Sequence, residues 1–468
     1  MNAIIISAIL GVAMMFVAVF FKNLKQYWPV ALVAFVILLA ATIADFNEVV
    51  LFTISTSNML EFSRFSLLFN VLITLCGVVY ILLNGTDIEK VGSSKAEYFA
   101  LLLFIYTGIY LVTSFANLLI LFIGIEIISI PLYILASSDK RNLKSNEAGL
   151  KYFLMGAFST GVMLLGIAFI YGGIGTFALG NATVALNTVT GLNGQPYAIP
   201  AAWTVVGMML MFASMAFKVS VAPFHFWTPD VYDGSPTVFT SFMATIVKVA
   251  VFVAFISLYH NLFKEVQYKW MQFAAICTAL TLIIGNITAV FQQSVKRMLS
   301  YSSIAQAGFM MFAVLVIQKT AIQGMLLYAV AYTLASMALF AVLIRLKDYT
   351  YDGFNGLART HPLLATVATV SILSLAGIPL TAGFFAKYYM LTAAISNGVY
   401  TWLIILAILC AAVSVYYYFR VLQAMYFKAA STEQVISSPT ALQRGTLIII
   451  TILIILLGVL PNLIIDWL

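Results

Sequence analysis

The sequence predicts an all-α polytopic membrane protein, and two observations predict it: a very low charge content and long apolar runs. Of the 468 residues, 63% are hydrophobic and only 8% are charged, whereas soluble chains carry about 25% charged residues. A globular core cannot absorb this many apolar side chains. Because a membrane-spanning helix needs about 20 predominantly apolar residues, the runs are interpreted as transmembrane helices.

Fourteen apolar runs predict about fourteen transmembrane helices. The first run is not followed by a small-residue cleavage site, so it is interpreted as a retained helix rather than a signal peptide. No linker between the runs is long enough to hold a soluble domain. The runs cover residues 3–21, 29–46, 64–84, 96–115, 117–136, 148–171, 201–228, 235–259, 268–291, 297–317, 320–346, 362–397, 399–427 and 442–466.

The loops between these runs differ in positive charge. Alternate loops place fifteen Lys and Arg residues on one side and four on the other. The positive-inside rule makes the richer side cytoplasmic, so both termini are predicted to face outward across a bacterial inner membrane. The net charge of +7 therefore reports topology, not nucleic-acid binding. The three cysteines lie in separate runs without ligand-like neighbours, which predicts no zinc, iron–sulfur or disulfide framework.

Five charged residues inside the runs are the most informative feature: Glu126, Lys151, Lys218, Lys248 and Lys387. A charge at the bilayer centre costs from about 2.5 to more than 10 kcal/mol. Such groups must be paired, hydrated or functional.

Simpler interpretations compete at several of these positions. Lys151 lies about one turn into its span and suits an interfacial lysine as well as a proton relay. Lys218 reaches an interface if its helix ends there, and Glu126 is a neutral carboxyl if it sits in a polar helix contact. His225 alone is more often a hydrogen-bonded core histidine. The depth of Lys387 depends on where its interrupted helix resumes.

Two of the runs contain interruptions. The stretches "KVSVAPFHFW" and "GIPLTAGFFAKYY" each combine a proline, aromatic residues and a lysine. Proline kinks a helix and frees a carbonyl, and such a break persists in a membrane only where protein or water satisfies the backbone. Paired broken helices are typical of repeat-built transporters, with the transport site at the break. We therefore expect two inverted five-helix repeats, spans 4–8 and 9–13, with breaks near Val219–Pro223 and Ile378–Gly383.

The chemistry available at these breaks is proton transfer. A Lys–Glu pair that separates acts as a proton switch, since a neighbouring carboxylate favours the charged lysine and desolvation disfavours it. His225 titrates near neutrality without special help. The sequence holds no carboxylate cluster for sodium or calcium, no GxGxxG unit and no cysteine cluster, so redox chemistry on this chain is not expected.

Three motifs carry a family resemblance: "KVSVAPFHFWTPDVYDGSPT", "VKRMLSYSSIAQAGF" and "GIPLTAGFFAKYYML". They resemble the antiporter-like subunits of the proton-pumping NADH–quinone oxidoreductase, respiratory complex I, and look most like the branch called subunit N. The resemblance implies that Glu126 and Lys218 form the switch pair and that Lys387 is the exit-side group. It also implies a row along the membrane midplane that joins the lysines through His225 and water and includes Lys248 and Lys151.

The resemblance implies the setting of the chain as well. NADH, flavin, iron–sulfur clusters and quinone would sit on other subunits, with no cofactor on this chain and no nucleic-acid partner. Other membrane subunits, including other antiporter-like ones, would be its partners. The expected organisation is residues 1–95 as a three-helix segment outside the repeats, 96–259 and 268–427 as the two repeats, and 428–468 as a C-terminal helix.

Four alternatives remain open at this point. Subunit M usually has glutamate where Lys387 stands, and subunit L has a long lateral helix after its last spans; both facts favour subunit N. The multi-subunit sodium/proton antiporter shares the motifs but is a secondary transporter. A solitary solute transporter fits the repeats, although lysines on several spans make a poor solute site.

Overall fold

The computed structural model describes residues 1–21, 26–53, 55–180, 202–316, 318–396, 398, 400–429 and 436–467. Lys22 and Lys25, counted above on the positively charged side, lie outside the described residues. Throughout these ranges the regular structure is helical, with only isolated bridges such as the one between Leu60 and Phe115. The predicted all-α membrane fold is confirmed.

Within the described ranges, twelve helices are long and apolar enough to cross a membrane, and two shorter apolar helices, α7 and α14, each end at a break. The exact number of spans stays a prediction. The helices are α1 Asn2–Phe20, α2 Trp28–Phe46, α3 Arg64–Ile88, α4 Lys95–Thr113, α5 Leu118–Ala136, α6 Leu143–Ile174, α7 Ala202–Lys218, α8 Thr228–Gly234, α9 Thr237–Asn261, α10 Gln267–Val290, α11 Val295–Leu315, α12 Lys319–Ile344, α13 Leu357–Thr360, α14 Pro362–Ala376, α15 Ala382–Ser396, α16 Thr401–Phe427, α17 Ala441–Val459 and α18 Asn462–Ile465.

The first break separates α7 from α8. Its backbone is satisfied by neighbouring protein, as a break in a membrane requires. The N–H of Ala222 donates to Thr281 Oγ1 on α10 at 2.9 Å, and Trp227 Nε1 donates to the Phe217 carbonyl at 3.0 Å. Ser220 adopts a left-handed conformation with φ +65°. The break lies where the sequence predicted it.

The second break separates α14 from α15. Gly377 ends α14 in the left-handed conformation, φ +85°, which glycine adopts without steric cost. Leu380 is also left-handed, φ +72°. A Cβ at Gly383 would overlap the Ser374 carbonyl oxygen, so α15 packs this closely on α14 only because the residue is glycine. This break, too, lies where it was predicted.

The core surrounds α9, α11 and α12. The most apolar 18-residue window of each of these three helices is 94% buried, against 22% for α1 and 33% for α2. Helices α6, α16 and α17 are also largely exposed, at 39%. The centre of the chain is therefore enclosed by its own helices, while the outer helices offer apolar faces to lipid or to other membrane chains.

A buried ion pair ties the N-terminal segment to the C-terminal half. Arg345 at the end of α12 donates to Asp87 of α3, with distances of 2.6 Å from Nη2 to Oδ2 and 3.3 Å from Nη1 to Oδ1. Both side chains are at most 7% exposed. Gln443 of α17 lies 3.4 Å from the same carboxylate and donates to the Leu83 carbonyl at 2.9 Å. Three helices distant in sequence thus meet at one carboxylate.

Candidate functional site

Lys248 lies deep inside the protein. It stands eleven residues after the start of α9, about 16 Å along the helix axis, and is 1% exposed. Its Nζ donates to the main-chain oxygen of Ser303 at 3.0 Å and to Ser303 Oγ at 2.5 Å. A π-helical turn, Met243–Val247, immediately precedes it, and such turns occur frequently at functional sites.

Tyr332 of α12 continues this contact. Its hydroxyl lies 3.0 Å from Ser303 Oγ and 2.9 Å from the Ala244 carbonyl oxygen. One serine therefore connects the ammonium of Lys248 to a buried phenol. Ser303 belongs to the motif "SYSSIAQ" in α11, whose polar residues share one helix face at spacings of three and four.

Gln306 is the next polar group on that face, one turn along α11. Its Nε2 donates to the Leu375 carbonyl at 2.9 Å and lies 3.5 Å from the Tyr418 hydroxyl. Its Oε1 accepts from the hydroxyl of Tyr328. Tyr418 also bonds to Ser302. The carboxamide thus joins α11 to α12, α14 and α16.

Lys387, in the second half of the chain, ends the row of polar groups that begins at Lys248 and runs through Ser303 and Gln306. It is 7% exposed, and its Nζ donates to the carbonyls of Leu375 and Ala376, each at 2.9 Å. These are the last carbonyls of α14, which the break leaves without helical partners. The ammonium also lies 4.8 Å from the centroid of the Phe309 ring, a cation–π contact.

A small cavity of about 10 Å³ separates the two ends of this row. Its lining includes Gln306, Tyr328, Tyr332, Ser374 and Lys387. A cavity of this size is just large enough for one water molecule. Polar groups and one water-sized space therefore connect Lys248 with Lys387.

Lys218 is the last residue of α7 and faces α5. Its Nζ donates to Ser129 Oγ at 2.9 Å and to the Tyr133 hydroxyl at 3.4 Å. Glu126 lies one turn before Ser129 on the same face of α5, about 4.5 Å along the axis. Among the described residues no ion pair within 4.0 Å joins Glu126 to Lys218. In this conformation the ammonium of Lys218 contacts hydroxyl groups of α5, one turn away from the carboxylate of Glu126.

Aromatic rings fill the space between Lys218 and Lys248. The series is Tyr133, Tyr152, Trp227 and Tyr232, with successive centroid distances of 4.8, 4.7 and 5.8 Å. Its two end rings lie 5.9 Å from the ammonium of Lys218 and of Lys248, respectively. The buried Nδ1 of His225 makes no hydrogen bond to the described residues, and the expected connection through His225 stays a prediction.

Lys151 occupies a different kind of site. Its Nζ lies 2.7 Å from Glu147 and 2.9 Å from Asp230, and Asp230 also pairs with Arg297 at 3.0 Å. The side chains of this cluster are between 35% and 63% exposed. Of the two interpretations left open by the sequence, this geometry favours the interfacial one.

Sequence reasoning missed Lys296, which it counted as a loop cation. The side chain is 3% exposed and donates to the carbonyls of Asp233 and Ser235 at 2.8 and 2.6 Å. It lines a cavity of about 760 Å³ on the positively charged side, which also reaches Thr237 at the start of α9. Lys296 lies in the first turn of α11, and the local sequence there does not indicate that the side chain is buried.

The described part of the chain contains no group of three or more His, Cys, Asp or Glu side chains placed to hold a metal ion. Cys76, Cys277 and Cys410 are free and buried there. The row consists instead of ammonium groups, hydroxyls, a carboxamide and main-chain carbonyls, which are all groups that donate or accept protons in hydrogen bonds.

Two broken spans and a buried lysine row define a membrane protein of the antiporter-like class. The family described as "NADH:quinone oxidoreductase/Mrp antiporter, TM" matches residues 116–414. NADH-quinone oxidoreductase subunit N of Flavobacterium psychrophilum is 36% identical over 476 residues, covering 100% of both chains. The chain belongs to the NADH-quinone oxidoreductase subunit N family, which confirms the resemblance seen in its motifs.

Solved structures agree with this assignment. A chain of "Respiratory complex I from Thermus thermophilus with bound Aureothin" is 30% identical and superposes with a TM-score of 0.81, covering 99% of this chain and 98% of that one. A chain of the Mrp complex from Dietzia sp. DQ12-45-1b has a TM-score of 0.85 at 16% identity, covering 100% and 95%. The second likeness shows the fold alone.

Proposed function

We propose that the chain is a proton-translocating membrane subunit of NADH–quinone oxidoreductase, in which other subunits carry NADH oxidation and quinone reduction. The observation that supports it best is the series of contacts from Lys248 through Ser303 and Gln306 to Lys387. A solute site offers no reason to place buried ammonium groups along such a series. The coupling to NADH oxidation and quinone reduction is proposed because the chain belongs to the NADH-quinone oxidoreductase subunit N family.

The physical basis is the exchange of a proton between charged and neutral lysine. Burial disfavours an ammonium, while hydroxyls and carbonyls that accept its hydrogen bonds favour it. Lys248 and Lys387 each have two such acceptors within 3.0 Å. Each site is therefore able to hold a proton, and a change in its acceptors alters how firmly the proton is held.

Glu126 and Lys218 are proposed to form the switch. In this conformation the ammonium lies on Ser129 and Tyr133, one turn away from the carboxylate. A shift of one helical turn along α5 exchanges the hydroxyl contacts for an ion pair. His225 is proposed to act between this switch and Lys248 in a conformation that brings its imidazole into contact with them.

The polarity of transport follows from the loop charges. We propose that the positively charged side is the cytoplasm, that both termini lie outside, and that the chain resides in a bacterial inner membrane. The cavity of about 760 Å³ then opens toward the cytoplasm beside Thr237, on the helix that carries Lys248. Residues 96–259 and 268–427 remain the proposed repeats.

The proposed partners are the other membrane subunits of the complex, including further antiporter-like ones. The exposed apolar faces of α1, α2 and α16 support this, because they are far larger than single exposed side chains. Flavin, iron–sulfur clusters and quinone are assigned to other subunits. The chain contributes proton transfer to the enzyme and no redox centre.

Lys248→Ala in the intact complex tests the proposal. The expected result is normal NADH–quinone electron transfer per assembled complex with strongly reduced proton uptake in reconstituted vesicles. Ser371→Ala is a matched control, since Ser371 is buried in α14 and its hydroxyl makes no hydrogen bond to the described residues. Wild-type proton pumping by Lys248→Ala would contradict the proposal.

A sodium/proton exchanger is the second candidate, because the Mrp complex shares the fold. The same vesicles separate the two functions. Proton uptake that requires NADH and is indifferent to sodium supports the proposed subunit. Exchange of sodium for protons by the chain without NADH oxidation supports the second candidate instead.

A further inference from the structure

The carboxamide of Gln306 is fully engaged in hydrogen bonds. A primary amide has two N–H donors and one carbonyl acceptor. Nε2 reaches the Leu375 carbonyl at 2.9 Å and the Tyr418 hydroxyl at 3.5 Å, while Oε1 accepts from Tyr328. Because the side chain is only 3% exposed, water cannot replace these partners readily. The orientation of the amide is therefore fixed by three helices.

One of these partners is shared with the ammonium of Lys387. The Leu375 carbonyl accepts from Gln306 Nε2 and from Lys387 Nζ, each at 2.9 Å. It belongs to the last turn of α14, and the break that follows removes its helical donor. A carbonyl at a helix end is free to tilt, so a second donor besides Lys387 restricts the direction of the Leu375 carbonyl. Gln306 provides that second donor.

The charge on Lys387 depends on such acceptors. The titratable groups facing this region are the phenols of Tyr328 and Tyr332 on α12 and of Tyr418 on α16. Among the described residues, no carboxylate forms an ion pair with Lys387. Two main-chain carbonyls and the face of the Phe309 ring are its direct partners.

Gln306 itself does not exchange protons near neutral pH. A proton moving between Tyr332 and Lys387 therefore passes beside the carboxamide, through the one-water cavity that all three residues line. The same side chain thus borders the transfer path and holds the acceptor at its end.

We propose that Gln306 is a positioning residue for proton translocation: it holds the Leu375 carbonyl toward Lys387 and thereby sets the pH range over which Lys387 exchanges its proton. The inference rests on the proposed proton-translocating function. An uncharged side chain, Gln306, thus controls the protonation of a charged one, Lys387.

The test is the pH profile of proton pumping per NADH oxidised, measured on the intact complex in vesicles between about pH 5.5 and 9. Gln306→Met keeps the length of the side chain and removes its donors. Without the amide, the Leu375 carbonyl should turn away from Lys387, and the ammonium then loses one of its two carbonyl acceptors. Losing one hydrogen bond to a charged group changes its protonation about tenfold, so the alkaline limb of the profile should move about one pH unit toward acid. Gln306→Glu places a carboxylate beside the ammonium, and the profile should move the opposite way.

Asn286→Leu is the matched control. Asn286 is a buried carboxamide on α10 that accepts from the hydroxyl of Tyr417 at 3.2 Å. It does not contact Leu375 or Lys387, so its loss should leave the pH profile unchanged even where stability falls.

Three outcomes would overturn the inference: a wild-type profile for Gln306→Met, shifts of the two Gln306 variants in the same direction, or an equal shift in Asn286→Leu. If Gln306→Met does not assemble, Gln306→Asn takes its place: it keeps the amide but shortens its reach to the Leu375 carbonyl, so an acid shift is expected and a wild-type profile would overturn the inference. The proposed function has a separate test, since Lys248→Ala is expected to reduce pumping strongly whether or not Gln306 positions the Leu375 carbonyl.

Discussion

The two broken spans hold their lysines in opposite ways. Lys218 ends the helix before its break and donates to the side chains of Ser129 and Tyr133 on another helix. Lys387 follows its break and donates to the carbonyls of Leu375 and Ala376, on the helix that the break ended. One ammonium is therefore coupled to side chains beside a carboxylate, and the other to the backbone of the break itself.

The surroundings of the two lysines differ as well. Polar groups and a one-water cavity lead from Lys387 toward Lys248, whereas aromatic rings in edge-to-face and stacked contacts lie between Lys248 and Lys218. Similar sequence motifs have thus produced a side-chain switch site in one half and a backbone-anchored site in the other. A broken helix with a lysine therefore does not by itself define the role of that lysine.

The largest expected difference is structural. Lys387→Met leaves the buried Ala376 carbonyl without a donor and the Leu375 carbonyl with Gln306 as its one donor, and an unsatisfied buried group costs about 1–3 kcal/mol. Lys218→Met leaves two hydroxyls, which can turn toward carbonyls of their own helix. Hydrogen-exchange mass spectrometry of the complex should therefore show exchange across residues 377–387 rising about a hundredfold in the first variant. Exchange across residues 218–228 should rise less than about fivefold in the second; equal effects at the two breaks would remove the distinction.

The next largest effect is expected for the polar groups between Lys248 and Lys387. Ser303→Ala removes one acceptor of Lys248 and the partner of Tyr332, while Tyr332→Phe removes one phenol. We expect each variant to lower protons pumped per NADH by about fivefold to tenfold, the equivalent of one hydrogen bond to a charged group. The double variant should be no worse than Ser303→Ala, because both act through the same serine. Additive losses would show that the two residues serve separate paths.

Glu126→Gln tests the proposed switch formed by Glu126 and Lys218. The carboxylate has no ion-pair partner within 4.0 Å among the described residues, so the neutral amide should not reduce assembly. Pumping should fall severalfold if Glu126 pairs with Lys218 during turnover. The comparison variant is Ser129→Ala, which removes the hydroxyl contact of Lys218 and leaves the carboxylate. Normal pumping by Glu126→Gln would remove the switch role.

The smallest effect is expected at Lys151. Its ion pairs with Glu147 and Asp230 are substantially exposed, and exposed pairs contribute about 0–1 kcal/mol. Lys151→Met should therefore change pumping less than twofold at 0.15 M salt, and the residual effect should disappear at 1 M salt, where charges are screened within about 3 Å. A loss as large as that of Lys248→Ala would restore the relay interpretation.

The sequence predicted both breaks because proline, glycine and lysine inside an apolar run are locally visible. It also selected Lys218, Lys248 and Lys387, since the cost of a buried charge follows from position within a run. It did not reveal which groups accept their hydrogen bonds. Those partners come from helices far apart in the chain, such as α9 and α11, and their register is decided by packing.

Buried cations near helix ends were missed for a related reason. Counting residues from the end of a run places Lys296 and Arg345 in water, whereas each is covered by neighbouring segments. A polar stripe in "SYSSIAQ" was the one local signal for Ser303 and Gln306, and a helical-face reading of that motif identifies both.

The Asp87–Arg345 pair has a consequence for synthesis of the chain. A ribosome completes α3 long before α12, and Gln443 of α17 emerges last. Until then the carboxylate of Asp87 pairs only with the exposed Lys90 three residues further along, at 2.7 Å, and lacks the buried donors Arg345 and Gln443. The contact among the three helices therefore stays incomplete until translation nears its end. A chain truncated before α17 would expose this defect to membrane proteases, which gives the cell a way to discard incomplete copies before they enter the complex.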